Sequence, residues 1–181
     1  MKRFRVAHVI TRLCRGGAQE NTFHTVRLAN RARFEVDLIS GYSRGREGSI
    51  EDTVRAAGIE VCHEPALVRS IAPVRDILAL RRLTRLFRER RYDIVHTHTS
   101  KAGFIGRLAA ERAGVPIVVH TPHGNIFQGY FSKPMTRLFV WMERHAARRT
   151  DKLIELTPGG VEEHLAEGIG QRGQYAPAIL N

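Results

Sequence analysis

Two short segments concentrate side chains able to ligate a metal, move a proton or grip an oxygen. Asp93-Ile94-Val95-His96-Thr97-His98-Thr99-Ser100-Lys101 carries two imidazoles two residues apart, and Val119-His120-Thr121-Pro122-His123-Gly124-Asn125 carries two more three apart. If both segments begin as neighbouring strands, the four imidazoles converge on one edge of a sheet, and such a set could bind zinc. The helical HExxH spacing is absent, no cysteine pair assists, and neither tip carries a carboxylate, so no metal is expected. His123 instead suits a polar contact at a cleft: Pro122 stiffens the chain before it and Gly124 frees it after. Neutral at pH 7, its ring can donate a hydrogen bond to a hydroxyl or phosphate oxygen. His96 and His120 read better as hydrogen-bonded residues beneath the loops.

A third segment, Thr11-Arg12-Leu13-Cys14-Arg15-Gly16-Gly17-Ala18-Gln19-Glu20, delivers two adjacent glycines to the start of a helix. Paired glycines let backbone N–H groups approach an anion, and the helix N-terminus adds partial positive charge; a plain flexible turn is the alternative. The dinucleotide fingerprint GxGxxG is missing, and the second strand ends in Ser40-Gly41 instead of an acidic residue for a ribose. No GxxxxGK[ST] occurs either, so NAD enzymes and P-loop phosphoryl-transfer enzymes drop out.

The elements that must position these residues alternate. Strand-like runs cover Arg5 to Ile10, Glu35 to Ser40, Glu60 to His63, Asp93 to Thr97, Pro116 to His120, Lys152 to Leu156 and Tyr175 to Leu180. Helical patterns lie between them, at Asn21 to Arg31, Ser49 to Ala57, Val74 to Arg90, Ala102 to Ala113, Pro134 to Arg149 and Gly160 to Glu167. Such alternation predicts an α/β class, a Rossmann-like parallel sheet of about seven strands with helices on both faces, in a single domain over residues 1–181. Ligands of open parallel sheets collect outside the carboxyl ends of the strands, which is where all three segments fall. Thr121 to Pro134 reads as one long functional loop.

The 181 residues are 43% hydrophobic, which excludes a disordered polycation despite a formal charge of +11. The excess is nearly all arginine, 25 Arg against 4 Lys, suited to phosphate-bearing partners. The helix at Val74 to Arg90 is expected to bury the stripe Ile77, Leu80, Leu83 and Phe87. Its other side carries Arg75, Arg81, Arg82, Arg85 and Arg88, with Leu78 among the charges. This arc, Arg75 to Arg91, suits solvent or an anionic membrane surface. Nucleic acid is not favoured, because no aromatic is interleaved for stacking and no helix-turn-helix spacing occurs. Cys14 and Cys62 make no disulfide framework, and neither an export signal nor a membrane span is visible. The expected location is cytoplasmic, with peripheral attachment to the inner membrane face as an option.

Together these segments resemble the N-terminal, acceptor-side domain of the retaining family 4 glycosyltransferases of GT-B fold. The resemblance rests on Ala7-His8-Val9-Ile10 leading to Arg15-Gly16-Gly17-Ala18-Gln19, on Tyr92-Asp93-Ile94-Val95-His96-Thr97-His98, on Val119-His120-Thr121-Pro122-His123-Gly124, and on Arg149-Thr150-Asp151-Lys152-Leu153-Ile154. It implies that Gly16 and Gly17 meet the diphosphate of a nucleotide-sugar donor and that His123 stands beside the transferred sugar. It also implies that the loops after strands one, four and five hold the acceptor, with Arg12, His98, Ser100, Lys101, Gly124 and Asn125 as contacts. The nucleotide-sugar is a co-substrate, and no cofactor is expected. In the family the leaving phosphate is thought to assist attack from its own face, which suits a sequence without a convincing pair of catalytic carboxylates at the loop tips. Thr157-Pro158-Gly159-Gly160 departs from the family, which more often has a serine followed by an acidic stretch. The family's second domain carries the nucleotide site, and the resemblance implies that this C-terminal domain lies outside the chain, with Asn181 at the junction and the chain inactive alone. A non-catalytic module that docks on membrane or completes a transferase in trans is the alternative.

Overall fold

The computed structural model describes residues 2–43, 47–124 and 132–176. Six parallel strands, β1 (Phe4–Ile10), β2 (Phe34–Ser40), β3 (Val61–His63), β4 (Ile94–His98), β5 (Ile117–Thr121) and β6 (Lys152–Leu153), form one sheet in the order β3-β2-β1-β4-β5-β6. The helices between them are α1 (Gly17–Leu28), α2 (Glu51–Ala56), α3 (Pro73–Arg90), α4 (Ser100–Ala113) and α5 (Lys133–Ala147), with α6 (Pro158–Ala166) after β6. The order reverses at β1, whose neighbours are β2 and β4; that switch point opens a crevice at the carboxyl ends of β1 and β4.

Strand alternation divides the core. Ala7, Val9, Val95 and Val118 face a layer built from Ala79, Leu83 and Phe87 of α3 and Ala102, Ile105 and Ala109 of α4. Ile10 and Leu38 face the opposite layer, Phe23 and Val26 of α1 with Val54 of α2. Small residues let α4 lie close on the sheet. A Cβ at Gly106 would come within 2.6 Å of Thr97 Cγ2, and one at Gly103 would collide with the His120 ring. Pro73 opens α3, where its missing N–H costs nothing, and α4 ends on Gly114 at φ 72, its N–H turned back to the Ala110 and Glu111 carbonyls.

The seventh expected strand, Tyr175 to Leu180, reduces among the described residues to a single bridge between Tyr175 and Leu153, directly after a 3-10 turn at Arg172–Gln174; residues 177–181 lie outside the described residues. The α3 stripe is also rotated from expectation. Ala79, Leu83, Thr84 and Phe87 are buried and Leu80 half-buried, whereas Ile77 is 53% exposed. Docking α3 on α4 through the small Ala79 turns Ile77 outward, and Leu78 is exposed as expected. The arginine arc is partly occupied: Arg85 pairs with Glu89 at 2.6 Å, Arg90 with Asp37 at 2.8 Å and Arg82 with Glu64 at 3.5 Å, while Arg88 donates to the Arg112 carbonyl.

Candidate active site

The loop after β1, Thr11 to Gly16, turns the chain into α1. The Gly16 carbonyl accepts the Gln19 and Glu20 N–H groups at 3.1 Å each, so the helix begins at Gly17, four residues before the expected Asn21. No side chain caps it, and a Cβ at Gly17 would meet nothing within 4 Å. The first-turn amides are thus left without a side-chain cap, as an anion site at a helix N-terminus requires.

The loops after β1, β4 and β5 are tied together. Thr11 Oγ1 lies 3.2 Å from Thr99 Oγ1 and accepts the Ala102 N–H at 3.2 Å, and Thr99 N–H donates to the Thr121 carbonyl at 3.1 Å. Thr99 and His123, both at φ above +60, hold left-handed backbone. That conformation is costly for non-glycine residues, most of all for a β-branched threonine, and such strain concentrates at functional loops.

The imidazoles assemble differently from expectation. In the parallel register His96 stands opposite Val119 and Thr97 opposite His120, so His120 faces the α4 side with Thr97, whose Oγ1 lies 2.9 Å from its Nδ1. His96 and His98 face the other side. The fourth member of their group is His8 of β1, in register with His96. Sequence reasoning placed four histidines on consecutive strands, but β1 and β4 are neighbours across the switch point, so His8 takes the place given to His120. Alternation of Val6, His8 and Ile10, combined with the Rossmann strand order, was the signal that could have found it.

His8 Nδ1 lies 2.9 Å from His98 Nε2, and His98 Nδ1 lies 2.9 Å from His123 Nε2. His96 Nε2 is 2.8 Å from Thr121 Oγ1. Burial lowers every one of these rings: His8 to about 4, with the Arg31 charge adding to the effect, and His123 to about 4. His96 and His98 fall well below the ordinary value, by burial first and by neighbouring imidazoles second. At neutral pH all four are uncharged. One nitrogen from each of His8, His96 and His98 falls within 4.8 Å of the others, so these are the residues that could hold a metal; the contacts above engage a nitrogen of each ring with a neighbour.

A cleft of about 730 Å³ lies between α3, α4 and α5 and reaches the loops after β1 and β4 through Thr11 and Thr99. Its walls are apolar, from Ile77, Leu80, Phe104, Leu108, Leu138 and Met142, and its rim carries Arg12, Arg15, Arg69, Ser100 and Lys101. Arg12 and Arg69 share Glu47 at 2.9 and 3.1 Å. Lys101 pairs with Asp76 at 2.6 Å and donates to the Ser70 carbonyl. Arg15 is exposed and has no ion-pair partner among the described residues. Of the residues expected at the site, Arg12, Ser100 and Lys101 line the cleft, whereas His98 and His123 belong to the histidine chain and Gly16 and Gly17 to the start of α1. Gly124 is exposed at φ 138, and Asn125 lies outside the described residues. Arg15, Arg69, Thr11 and Thr99 carry no site role on sequence grounds; only the folded loops bring them together at the cleft.

Over 152 residues, 84% of its length, the chain is 36% identical to UDP-Gal:alpha-D-GlcNAc-diphosphoundecaprenol alpha-1,3-galactosyltransferase of Escherichia coli, and the matched region spans 38% of that protein. Among solved structures, the Anabaena protein Alr3699/HepE in complex with UDP and glucose superposes with a TM-score of 0.69 at 17% identity, covering 94% of this chain and 43% of that one. A putative UDP-N-acetylglucosamine 2-epimerase from Listeria monocytogenes gives 0.68 at 15% identity, over 97% and 45%. At such identities the likeness shows the fold alone, and the family has to come from sequence. The family model for the glycosyl transferase 4-like domain matches residues 16–177, from the paired glycines through the histidine segments to the end of the described chain, and the chain belongs to that family.

Proposed function

We propose that the chain is the acceptor-side domain of a retaining glycosyltransferase that moves a hexosyl unit from a nucleotide-diphosphate donor to a lipid-linked saccharide. The observation that carries the reading is the gathering, at one carboxyl rim, of an open helix N-terminus after Gly16-Gly17 and a strained, neutral His123 anchored on His98. The α1 amides receive the leaving diphosphate, whose charge grows as the sugar C1–oxygen bond breaks. His123 donates a hydrogen bond to the sugar or phosphate. The acceptor hydroxyl attacks C1 from the face the diphosphate leaves, and its proton passes to a phosphate oxygen. The reading assigns no metal and no resident cofactor.

A polyprenyl diphosphate acceptor suits the cleft, whose apolar walls would take isoprene units while Arg12, Arg15, Arg69 and Lys101 stand near the diphosphate. The related E. coli enzyme is named for such an acceptor. The donor nucleotide is read by a second domain, without which this chain is inactive. The test is transfer from UDP-galactose to a short-chain prenyl-diphosphate GlcNAc, with the domain joined to a donor-binding half. His123→Ala should lower kcat about 10²-fold while far-UV circular dichroism is unchanged. Unchanged turnover would remove His123 from the reaction.

The exposed side of α3 favours a second, compatible reading, docking on an anionic membrane surface from the cytoplasmic side. Ile71, Val74, Ile77 and Leu78 are exposed beside Arg75 and Arg81. Basic residues near such a surface contribute about 1 kcal/mol each. Sedimentation with phosphatidylglycerol vesicles should show binding that weakens as salt rises from 50 to about 300 mM, and absence of binding at low salt would dismiss it. No helix among the described residues is long and apolar enough to cross a membrane.

A further inference from the structure

The rim of the cleft sets three guanidinium groups around one carboxylate: Arg12, Arg15 and Arg69 line it together with Glu47. Glu47 gives one oxygen to each of two arginines. Its Oε2 stands 2.9 Å from Arg12 Nη2, and its Oε1 accepts from Arg69 Nη1 at 3.1 Å. Arg15, without an ion-pair partner among the described residues, lies along Gly48, where an added Cβ would come within 3.3 Å of its Nε. The segment that carries Glu47 is tied to the β1 loop on both sides. Leu13 N–H donates to Ser43 Oγ at 2.9 Å, and the Leu13 carbonyl accepts the Ile50 N–H at 2.9 Å and the Ser49 hydroxyl at 3.1 Å. The other carboxylates of the lining are engaged elsewhere, Asp76 with Lys101 and Glu143 with Arg107.

We propose that Glu47 is a placeholder: in the free domain its carboxylate fills the seat of an isoprenoid diphosphate, and the incoming diphosphate displaces it. This rests on the acceptor reading of the cleft and adds how the seat is kept and opened. The two oxygens of a carboxylate and two oxygens of a phosphate accept from guanidinium groups in the same way, so a phosphate can inherit both contacts. Arg12 explains why the seat is kept filled. Its side chain is only 16% exposed, and a cation so enclosed is costly without a counter-charge. Glu47 and Arg69 explain why the seat opens. Their side chains are 47% and 71% exposed, and pairs so open to water contribute little. Glu47 can swing into solvent by turning its own side-chain bonds, with its segment still held on Leu13. A singly charged group exchanges one anion for another and gains nothing. A diphosphate brings a second charge, for which Arg15 is unoccupied, and its tail, bound along the apolar walls, raises its effective concentration at the rim. The carboxylate thus screens out weaker anions while it keeps Arg12 paired.

Binding alone tests this, with no sugar transfer and no second domain. The chain is titrated calorimetrically with farnesyl diphosphate and, separately, with UDP, in about 50 mM salt so that screening stays weak. Glu47→Gln keeps the shape and removes the charge. It should bind farnesyl diphosphate about fivefold more tightly than the wild type, the competition of one exposed pair having been removed. In an Arg12→Gln background that gain should vanish, because the enclosed cation that Glu47 occupies is gone. Equal or weaker binding by Glu47→Gln would mean that Glu47 holds the arginines ready for the ligand. That result overturns the proposal, while binding of farnesyl diphosphate leaves the acceptor reading standing. A gain that persists without Arg12 marks repulsion through space and overturns it as well. A gain toward UDP alone assigns the seat to a nucleotide diphosphate and overturns the isoprenoid assignment. No binding of farnesyl diphosphate to either protein removes the acceptor reading and the placeholder together.

Discussion

Lowering the pH from 7 to 5 should destabilise the fold, and the buried imidazoles set the size of the effect. An unfolded histidine titrates near 6.5, whereas His8 in the fold is held to about 4 by burial and by Arg31. Between those values the unfolded chain binds a proton that the folded chain refuses, so stability is fully present above about 6.5 and is lost as pH falls toward 4. For His8 the loss from pH 7 to pH 5 is about 2 kcal/mol. His96, His98 and His120, lowered mainly by burial, act in the same direction, as do His123 and His164. Glu155 opposes them. Burial raises its carboxyl to about 7, a cost that disappears as the group protonates. With six rings against one carboxyl, the net sign is destabilising. With a urea dependence of about 2 kcal/mol per molar, the His8 ring alone moves the midpoint by about 1 M. Urea titrations followed by far-UV circular dichroism at the two pH values measure this, and His8→Phe should reduce the pH-dependent shift by one ring's share. Equal midpoints at pH 5 and 7 would refute the picture of neutral rings locked under the loops.

Further expectations concern single contacts. Arg107, fully buried in α4, pairs with Glu143 of α5 at 2.6 Å, so Glu143→Ala should cost about 3–5 kcal/mol in urea unfolding, while replacing both by apolar residues of similar volume should be near neutral. Gly103→Ala drives a methyl into His120 and should lower stability by about 1–3 kcal/mol. Thr157 Oγ1 accepts the Gly160 N–H at 3.1 Å at the start of α6, and Thr157→Ala should cost about 1 kcal/mol, visible as a lower melting temperature. Gly17→Val meets no neighbour in the fold. With the domain joined to a donor-binding half, as the proposed function requires, it should leave the melting temperature nearly unchanged yet reduce sugar transfer about 10²-fold if the α1 amides meet the diphosphate; full activity would exclude that contact.

The layered α/β plan was legible because β-branched runs and helical stripes alternate at lengths fitting parallel crossovers, and helix ends such as Gly114 are written in residue type. The histidine group was legible in part. Spacing along β4 and β5 brought His98 and His123 into view, but which strands become neighbours is a long-range property, and it moved His8 in and His120 out. The α3 stripe failed at Ile77 for a related reason: helical periodicity gives the width of an apolar face, and the partner that accepts Ala79 chooses its rotation. Arg15 and Arg69 reach the cleft rim through loop geometry that no local pattern encodes.

The placement of β1 between β2 and β4 has a consequence for synthesis of the chain. Its pairing with β2 is complete once about forty residues have emerged, since Ile10 stands opposite Ser40, yet its other edge waits for Ile94–Thr97, more than fifty residues later. Throughout that interval a nascent chain presents an open strand edge bearing His8, able to pair with whatever extended segment it meets. Holdase chaperones and translation pauses between codons 40 and 98 would act on that intermediate, and the imidazole row can form only after it is resolved.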